Sequence, residues 1–418
     1  MSLVMLFLFA GLLVLGMPVG YALLIAAGGS ILALSDVPIA VVLLKLYSQT
    51  QSFPLVAIPF FILSGALLMS GVLGQQLVQF AARLVGRYRG GLGQVNVVGA
   101  TIFGGVSGSA VADASALGAI IIPWMKREGY PGGIAAAINA SCSILAVLIP
   151  PSIPLILFST ISNASINALF LAGILPGLML AAGLMFTCWV VGVMRGLPIA
   201  KIEGGFTKEL LLRALPALGL PVLIIVFLRF GIATPTEVSA IAVAYALMCR
   251  ICIYRDLSVG KFIHALLIAS ATTGVVMLVI IASSLVSYVL TDENVPILFS
   301  EWVLSTLKEP WLIILMMNIL MLIIGMFIDL SAAILLLGPI FVVLGEAIGM
   351  NMIQLGLMMT MNLAIGLFTP PVGTTMFISA AIARERIGNV VRELWPFYAV
   401  SGIVLLLISY VPAVTIQF

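Results

Sequence analysis

Residues 113–123 read D-A-S-A-L-G-A-I-I-I-P, and residues 329–339 read D-L-S-A-A-I-L-L-L-G-P. Both stretches fit the pattern D-x-S-A-x6-P, and both place oxygen-bearing side chains within long apolar segments. A pair of adjacent prolines follows each one, Pro150-Pro151 in the first half of the chain and Pro370-Pro371 in the second. Duplicated polar, helix-breaking interruptions of this kind are typical of membrane proteins that are built from two structural repeats.

The composition excludes an ordinary water-soluble domain. Hydrophobic residues make up 63% of the 418 residues, and charged residues make up only 8%. Soluble domains carry about 25% charged residues, whereas here apolar runs long enough for a membrane-spanning helix recur along the whole chain. No basic segment precedes the first apolar run, so we interpret residues 2–16 as a retained span and not as a cleaved signal. The sequence therefore predicts an all-α polytopic membrane protein.

The distribution of charge predicts the topology. Most of the basic residues fall into five clusters, which are Arg83/Arg87/Arg89, Lys126/Arg127, Arg195/Lys201/Lys208/Arg213, Arg250/Arg255/Lys261 and Arg384/Arg386/Arg392. The positive-inside rule assigns all five clusters to the cytoplasm. The other loops are mostly acidic, with residues such as Asp292, Glu293 and Glu346. We place those loops outside, together with both termini.

Two segments, 92–124 and 310–345, each begin and end on one side of the membrane in this charge map. Each of their arms has about 17 residues, or about 25 Å of helix, which is slightly short of a full crossing of the hydrocarbon. The midpoints of both segments are rich in glycine and in side chains that can ligate ions. We therefore predict two re-entrant helical hairpins. Two ordinary short spans joined by a polar turn are the alternative at each position.

The elements together predict two inverted repeats, each with one hairpin and one discontinuous helix. Repeat A covers 1–194, a cytoplasmic linker covers 195–213, and repeat B covers 214–418. The discontinuous helices are predicted at 131–160 and 352–381, the other spans at 2–16, 18–35, 53–75, 168–194, 214–231, 235–252, 264–290 and 395–413, and surface helices at 76–88 and 296–307. Residues 36–52 are left open, because Lys45 and Tyr47 interrupt an apolar run that could lie flat on the surface. Thr234 and Glu237 form a capping-box pattern that opens the span at Pro235.

The paired prolines predict where the chemistry lies. Two consecutive prolines remove backbone donors and exclude the preceding residue from a helix, so each pair breaks its helix within the bilayer. Such a break exposes carbonyl groups that attract a cation and amide groups that attract an anion. Hydroxyl and amide side chains surround both breaks and both hairpin tips, and these are Ser107, Ser109, Ser115, Ser141, Ser143, Ser152, Ser331, Asn362, Thr369, Thr374 and Thr375. Oxygen ligands of this type suit a hard monovalent cation such as Na⁺.

The two carboxylates of the repeated motif, Asp113 and Asp329, have two interpretations. Ionisable groups within the membrane are costly, so both residues are functional candidates by default. The alternative is that each Asp caps the second helix of its hairpin. Both roles can coexist in one residue.

Other function classes find little support. The chain has no phosphate-binding loop, no nucleophile elbow and no cluster of transition-metal ligands, so we expect neither an enzyme nor a resident cofactor. Cys249 and Cys252 form an isolated C-x-x-C, which we interpret as packing thiols, and His264 as an interfacial residue. We expect a lipid bilayer around the chain and no nucleic-acid partner.

Several segments together resemble one family. They are A-I-P-F-F-I-L-S-G at 57–65, S-G-S-A-V-A-D at 107–113, I-P-P-S-I-P at 149–154, A-T-P-T-E at 233–237 and G-L-F-T-P-P-V-G at 366–373. In this order they resemble the large membrane (permease) subunit of tripartite ATP-independent periplasmic (TRAP) transporters, the DctM-like family. The resemblance covers nearly the whole chain. It departs at Ser331-Ala332, where a proline often follows the hydroxyl residue, and at 349–352, which lacks an Asp-Pro.

The resemblance implies a Na⁺-coupled secondary importer of small organic acids with an elevator-type, ion-transporter-like fold. A transport domain that holds the hairpins and broken helices would slide against a scaffold formed by the remaining spans. The resemblance further implies two partners, a small membrane subunit of about four helices and a periplasmic substrate-binding protein. The location would be the inner membrane of a bacterium or archaeon.

The same resemblance suggests site residues. Sodium ions would be held by Ser107 with the break at Pro150, and by Gly325 with Gly366 and Thr369. The predicted substrate contacts are Ser109, Ser152 and Asp329, with Thr374 beside the second break.

Two further functions are weighed against this one. A stand-alone Na⁺-coupled carboxylate carrier would need no partner chains. An intramembrane aspartyl protease would use two buried Asp residues that face each other. The repeat instead places Asp113 and Asp329 in separate hairpin tips, which argues against the protease.

Overall fold

The structure, a computed structural model, describes residues 1–34, 37–69, 72–200 and 208–415. Within these ranges every regular element is a helix. Five of the described helices are long and apolar enough to cross a membrane, or up to seven spans if each of two bent helix pairs counts as one. The predicted all-α polytopic class is thereby confirmed.

The first half of the chain forms helices α1 to α11. Their bounds are α1 Ser2–Val14, α2 Val19–Leu34, α3 Ile39–Thr50, α4 Ala57–Met69, α5 Val72–Val85, α6 Gly91–Ser107, α7 Ala110–Arg127, α8 Gly132–Cys142, α9 Leu145–Leu148, α10 Ile153–Ser162 and α11 Ile166–Met194. A short 3₁₀ turn, Phe53–Val56, leads into α4. The helices α6 and α7 form the first predicted hairpin, and the segment from α8 to α10 forms the first predicted broken helix, with a bend of 44°.

The second half forms helices α12 to α20. Their bounds are α12 Lys208–Arg229, α13 Pro235–Met248, α14 Val259–Asp292, α15 Val295–Thr306, α16 Pro310–Gly325, α17 Leu330–Ala347, α18 Met352–Gly366, α19 Thr374–Ala383 and α20 Ile387–Tyr410. A π-helical turn, Cys249–Ile253, extends α13, and a 3₁₀ turn, Pro412–Val414, follows α20. The capping box at the start of α13 is confirmed, because Thr234 and Glu237 each accept a hydrogen bond from the other's backbone amide.

Several predicted boundaries were wrong. The span predicted at 53–75 ends at Met69, and the surface helix predicted at 76–88 begins at Val72 instead. The open segment 36–52 forms α3, which bends by 56° from the segment Phe53–Met69; Asp36 lies outside the described residues. Helix α12 begins at Lys208, within the predicted linker, and residues 201–207 lie outside the described ranges.

The two halves interlock. Helix α2 packs against α14 and α4 packs against α13, while α7 packs against α19 and α10 packs against α17. Each of these pairs joins one element from the first half with one from the second. Such pairing is what two related halves would produce, although the inverted relation itself and the repeat boundaries stay predictions.

Polar contacts at the helix ends agree with the charge map. Arg195 forms an ion pair with Glu393 at 3.0 Å, and Lys126 donates a hydrogen bond to the carbonyl of Ala383 at 2.6 Å. All four residues lie in or beside segments that we assign to the cytoplasm. The sides of the membrane stay a prediction, because the contacts fix only which groups lie together.

Arg250 lies at the end of the predicted span 235–252 and belongs to a basic cluster that we assign to the cytoplasm. Its side chain is fully buried, pairs with Asp256 at 2.9 Å and donates to the carbonyl of Leu67 at 3.0 Å. A buried guanidinium needs such a partner, because an uncompensated charge in an apolar interior is costly. The contact holds the end of α4 against the end of α13.

Candidate functional site

A cavity of about 690 Å³ lies between the two hairpin tips. Its wall contains Ser107, Gly108 and Ser109 from the first tip and Asp329, Leu330 and Ser331 from the second. The rest of the wall comes from α4, from the first turns of α7, from the start of α10 and from α14, with Val147 of α9 and with Leu367 beside the second break. The two copies of the repeated motif therefore meet at one site although they are far apart in the chain.

The first tip is a two-residue turn between α6 and α7. Gly108 has φ +62°, a left-handed conformation that glycine adopts readily. Ser109 is the N-cap of α7, and its hydroxyl accepts a hydrogen bond from the amide of Ala112 at 3.4 Å. The cap interpretation of Asp113 is therefore wrong, because Asp113 lies four residues after the cap.

Asp113 instead contacts Ser107. The Ser107 hydroxyl donates to Asp113 Oδ1 at 2.5 Å and accepts a hydrogen bond from the Ser109 amide at 3.3 Å. Asp113 is 1% exposed, and its other oxygen, Oδ2, has no hydrogen-bond partner within the described part of the chain. A buried carboxylate oxygen without a donor is a site at which a cation would be stabilised.

The second tip confirms the cap interpretation for Asp329. Asp329 is the N-cap of α17, and its Oδ2 accepts a hydrogen bond from the Ser331 amide at 3.1 Å. The side chain is also exposed to the cavity. Asp329 therefore starts its helix and faces the site at the same time.

Each proline pair lies against the hairpin tip of its own half. The amide of Ile153, after Pro150-Pro151, donates to the carbonyl of Gly108 at 3.4 Å. The amide of Val372, after Pro370-Pro371, donates to the carbonyl of Met326 at 3.2 Å. Both proline pairs contain a cis peptide bond. Each helix break and its neighbouring hairpin tip thus form one unit that is joined by a backbone hydrogen bond.

The predicted sodium residues lie in these two units. In the first unit, Ser107 precedes the turn at Gly108. A Cβ added to Gly108 would collide with the carbonyl oxygen of Pro151, so this turn packs directly on the proline pair. In the second, the backbones of Gly325 and Gly366 touch, so that a Cβ on Gly366 would collide with the Gly325 carbonyl oxygen. The Thr369 hydroxyl donates to the carbonyl of Ile365 at 2.6 Å and also lies beside the Tyr398 hydroxyl. The assignment of Na⁺ to these residues stays a prediction.

The predicted substrate residues are divided by the structure. Ser109 and Asp329 line the cavity. Ser152 is fully buried, caps α10 and donates to the carbonyl of Val147 at 2.5 Å, so its hydroxyl serves the helix break. Thr374 is half-buried at the first position of α19, and its buried hydroxyl has no hydrogen-bond partner among the described residues. Neither residue is in the cavity wall, and a substrate contact by either one stays a prediction without support from this geometry.

Sequence reasoning missed the contribution of α4 and α14 to the cavity. Gly65 of α4 and Thr272 of α14 both line it. The signal for Thr272 was weak, because a Thr-Thr-Gly stretch inside an apolar span has many structural explanations. Gly65 lies so close to the first tip that a Cβ there would be 3.1 Å from the Ser107 Cα.

Comparison with known proteins shows the family of the chain. Residues 6–414 match the model of the family described as "Tripartite ATP-independent periplasmic transporter, DctM component". The chain belongs to this family. It is a multi-pass transporter permease and not an enzyme, so the aspartyl protease interpretation is wrong.

Two relatives are similar to this chain over nearly their whole length. The protein y4mL of Sinorhizobium fredii, which has no assigned function, is 51% identical over 100% of both chains. The 2,3-diketo-L-gulonate TRAP transporter large permease protein YiaN of Escherichia coli is 35% identical over 96% of this chain and 95% of its own. The crystal structure of the YdaH transporter of Alcanivorax borkumensis, described as having an unusual topology, superposes with a TM-score of 0.63 at 13% identity. It covers 90% of this chain and 89% of its own, and it supports the fold alone.

Proposed function

We propose that this permease imports small organic acids by Na⁺-coupled secondary transport and receives its substrate from a periplasmic binding protein. The observation that carries the proposal is the cavity that the two hairpin tips share, each of which lies against a helix break. Carbonyl groups at such breaks favour a cation, and free amide groups at a helix start beside the cavity favour an anion. One site of this kind can therefore bind a coupling ion and an organic anion together.

The partners follow from the family. The family is described as tripartite, which supports a small membrane subunit and a soluble binding protein in addition to this chain. The relative YiaN is named for a sugar acid, which supports organic acids as the substrate class. A periplasmic partner would imply that the chain lies in the inner membrane of a bacterium or archaeon, and we propose this location.

We further propose an elevator movement. The hairpins and the broken helices pack against one another across the two halves, α7 against α19 and α10 against α17. These elements would move as one transport domain past a scaffold that includes α2, α4, α13 and α14. Inverted repeats, with tips that enter from opposite membrane faces, would give the inward-facing and outward-facing states related geometries.

The test is uptake by proteoliposomes that contain this chain and its small membrane subunit, with a substrate-loaded binding protein outside. Uptake should require an inward Na⁺ gradient and should cease when K⁺ replaces Na⁺. Equal uptake in K⁺ would refute the coupling. Uptake of free substrate by this chain alone would instead favour the stand-alone carrier.

A further inference from the structure

The cavity has an unusual charge for a site that binds an anion. Among the described residues of its wall, none is Lys, Arg or His, and Asp329 is the one carboxylate. The other polar side chains of the wall are hydroxyl groups, which are Ser107, Ser109, Ser115, Thr272 and Ser331. An acid that enters this cavity has no basic side chain to pair with.

Three helices begin at the cavity, and two of them have already used their first amides. At α10, Ile153 donates to the Gly108 carbonyl, Pro154 has no amide proton, and Leu155 donates to the Ser152 hydroxyl. At α17, Ser331 donates to the carboxylate of Asp329, so this helix start already holds a negative charge. Neither start is suited to the carboxylate of a substrate.

The start of α7 is different. Ser109 caps it with a neutral hydroxyl, and the Ala110 and Val111 amides precede the first intrahelical donor, Asp113. Both residues line the cavity. Asp113 lies in the first turn of α7, but its side chain is buried, contacts Ser107 and is not part of the cavity wall, so it does not occupy these amides. A helix start with free amides that face a cavity is a favourable place for one anionic group.

The opposite wall suits hydroxyl groups. A carboxylate has about four lone-pair positions, and the Ser331 amide, with the Leu330 amide and the Ser331 hydroxyl beside it, interacts with some of those on Asp329. The others can accept hydrogen bonds from hydroxyl groups that a substrate presents to the cavity. A second substrate carboxylate in the same place would meet a like charge without a nearby cation, which is unfavourable.

We propose that this cavity selects monocarboxylates that carry several hydroxyl groups, and that Asp329 sets the preference over dicarboxylates. The substrate carboxylate lies at the start of α7, and its hydroxyl groups donate to Asp329 and the neighbouring serines. This inference rests on the proposed function, because it assumes that the cavity is the substrate site. It adds the class of acid and the residue that discriminates.

The experiment measures occupancy of the cavity directly, so that the binding protein's own selectivity does not enter. Val276 of α14 is half-buried and lines the cavity, so Val276→Cys places a reactive thiol there. The background is Cys252→Ser, because Cys252 is exposed whereas Cys142, Cys188 and Cys249 are buried. The complex of this chain with its small subunit is treated with a maleimide in Na⁺ buffer. The probes are D-gluconate, succinate and hexanoate, which differ in hydroxyl and carboxylate content.

D-Gluconate should protect the thiol at a concentration about tenfold lower than succinate or hexanoate, as expected for one or two added hydrogen bonds. Asp329→Asn retains the helix cap, since Asn is an equally good N-cap, and should reduce this preference to about twofold or less. The matched control is Asp292→Asn, which removes a carboxylate at the end of α14, outside the cavity wall, and should leave the preference unchanged.

Three results would overturn the inference. Protection by succinate equal to that by D-gluconate, or an unchanged preference in Asp329→Asn, would refute it and leave the proposed function intact. Absence of protection by all three acids would remove the cavity as the substrate site, and this inference with it. Na⁺-dependent uptake from the loaded binding protein is measured separately, so a failure of the proposed function is recognised independently.

Discussion

At the scale of single residues, Ser107 and Asp113 form the most constrained polar contact of the site. The Ser107 hydroxyl donates its proton to Asp113 and accepts a hydrogen bond from the Ser109 amide. A hydroxyl group has two lone pairs, so one lone pair of Ser107 remains for a cation. Asp113 therefore holds the hydroxyl in the orientation that a cation ligand needs.

Ser107→Ala should raise the Na⁺ concentration for half-maximal uptake by about tenfold, because the cation loses one ligand. The maximal rate at saturating Na⁺ should fall less. The measurement is a Na⁺ titration of uptake in proteoliposomes with the small subunit and loaded binding protein. Ser30→Ala is the matched control, because Ser30 is also buried and its hydroxyl donates to the carbonyl of Ala27 within α2, away from the hairpin tips. An unchanged Na⁺ requirement in Ser107→Ala would remove Ser107 from the cation site.

The residue types of the site could be predicted from sequence, but not the partner of each residue. The Asp residues occupy the same position in the repeated motif, yet Asp329 caps α17 whereas Asp113 lies within α7. The difference comes from the turns, which have different lengths and place the first helical residue differently relative to each Asp. Turn geometry depends on packing against the helix breaks, which a single sequence does not reveal.

At the scale of elements, the contact between each hairpin tip and its helix break is the feature that organises the site. Paired prolines and apolar length predicted the hairpins and breaks to within a few residues, because both signals act locally. The buried pair Arg250–Asp256 could not be predicted, since the charge map gives Arg250 only a side of the membrane, and its burial comes from the contact with the end of α4, which is distant in sequence. Local signals predict elements, whereas burial depends on neighbours that are distant in sequence.

Gly366→Ala tests the contact at the second break. The added Cβ would collide with the Gly325 carbonyl oxygen and separate α18 from the hairpin tip. Overpacking of this kind costs about 1–3 kcal/mol, so the purified complex should unfold at a lower temperature, and uptake should fall. Gly402→Ala is the matched control, because Gly402 lies within α20 and a Cβ added there would meet no described atom within 4 Å. The unfolding temperatures of both variants test this prediction. Equal unfolding temperatures would show that the hairpin tip accommodates the added methyl group without loss of stability.

At the scale of the whole molecule, the two halves share one cavity. Composition predicted a membrane protein and the charge map predicted which loops share a side, because both depend on the bilayer and not on detailed packing. The meeting of the two tips is a consequence of how α7 packs on α19 and α10 on α17. This arrangement makes the hairpins and broken helices a candidate rigid body, and it gives the elevator proposal a specific test.

Two cysteine pairs distinguish movement between domains from movement within one. Gly65→Cys with Ser107→Cys joins the scaffold helix α4 to the first hairpin, and an ideal Cβ at Gly65 lies 3.6 Å from the Ser107 Cβ. Gly338→Cys with Ile161→Cys joins α17 to α10 inside the proposed transport domain, at 3.8 Å between the corresponding atoms. Both distances suit a disulfide bond, for which Cβ atoms lie about 3.5–4.5 Å apart.

In a Cys252→Ser background at saturating Na⁺, oxidation of the first pair should abolish uptake, and reduction should restore it. The second pair should form its disulfide and retain uptake, because α10 and α17 would travel together. Uptake is compared between the oxidised and the reduced form of the same variant, so the effect of Ser107→Cys itself is present in both measurements. If oxidation of the first pair leaves uptake intact, the scaffold and the hairpin do not separate during transport. If oxidation of the second pair stops uptake, α10 and α17 move relative to each other, and the transport domain is not one rigid body.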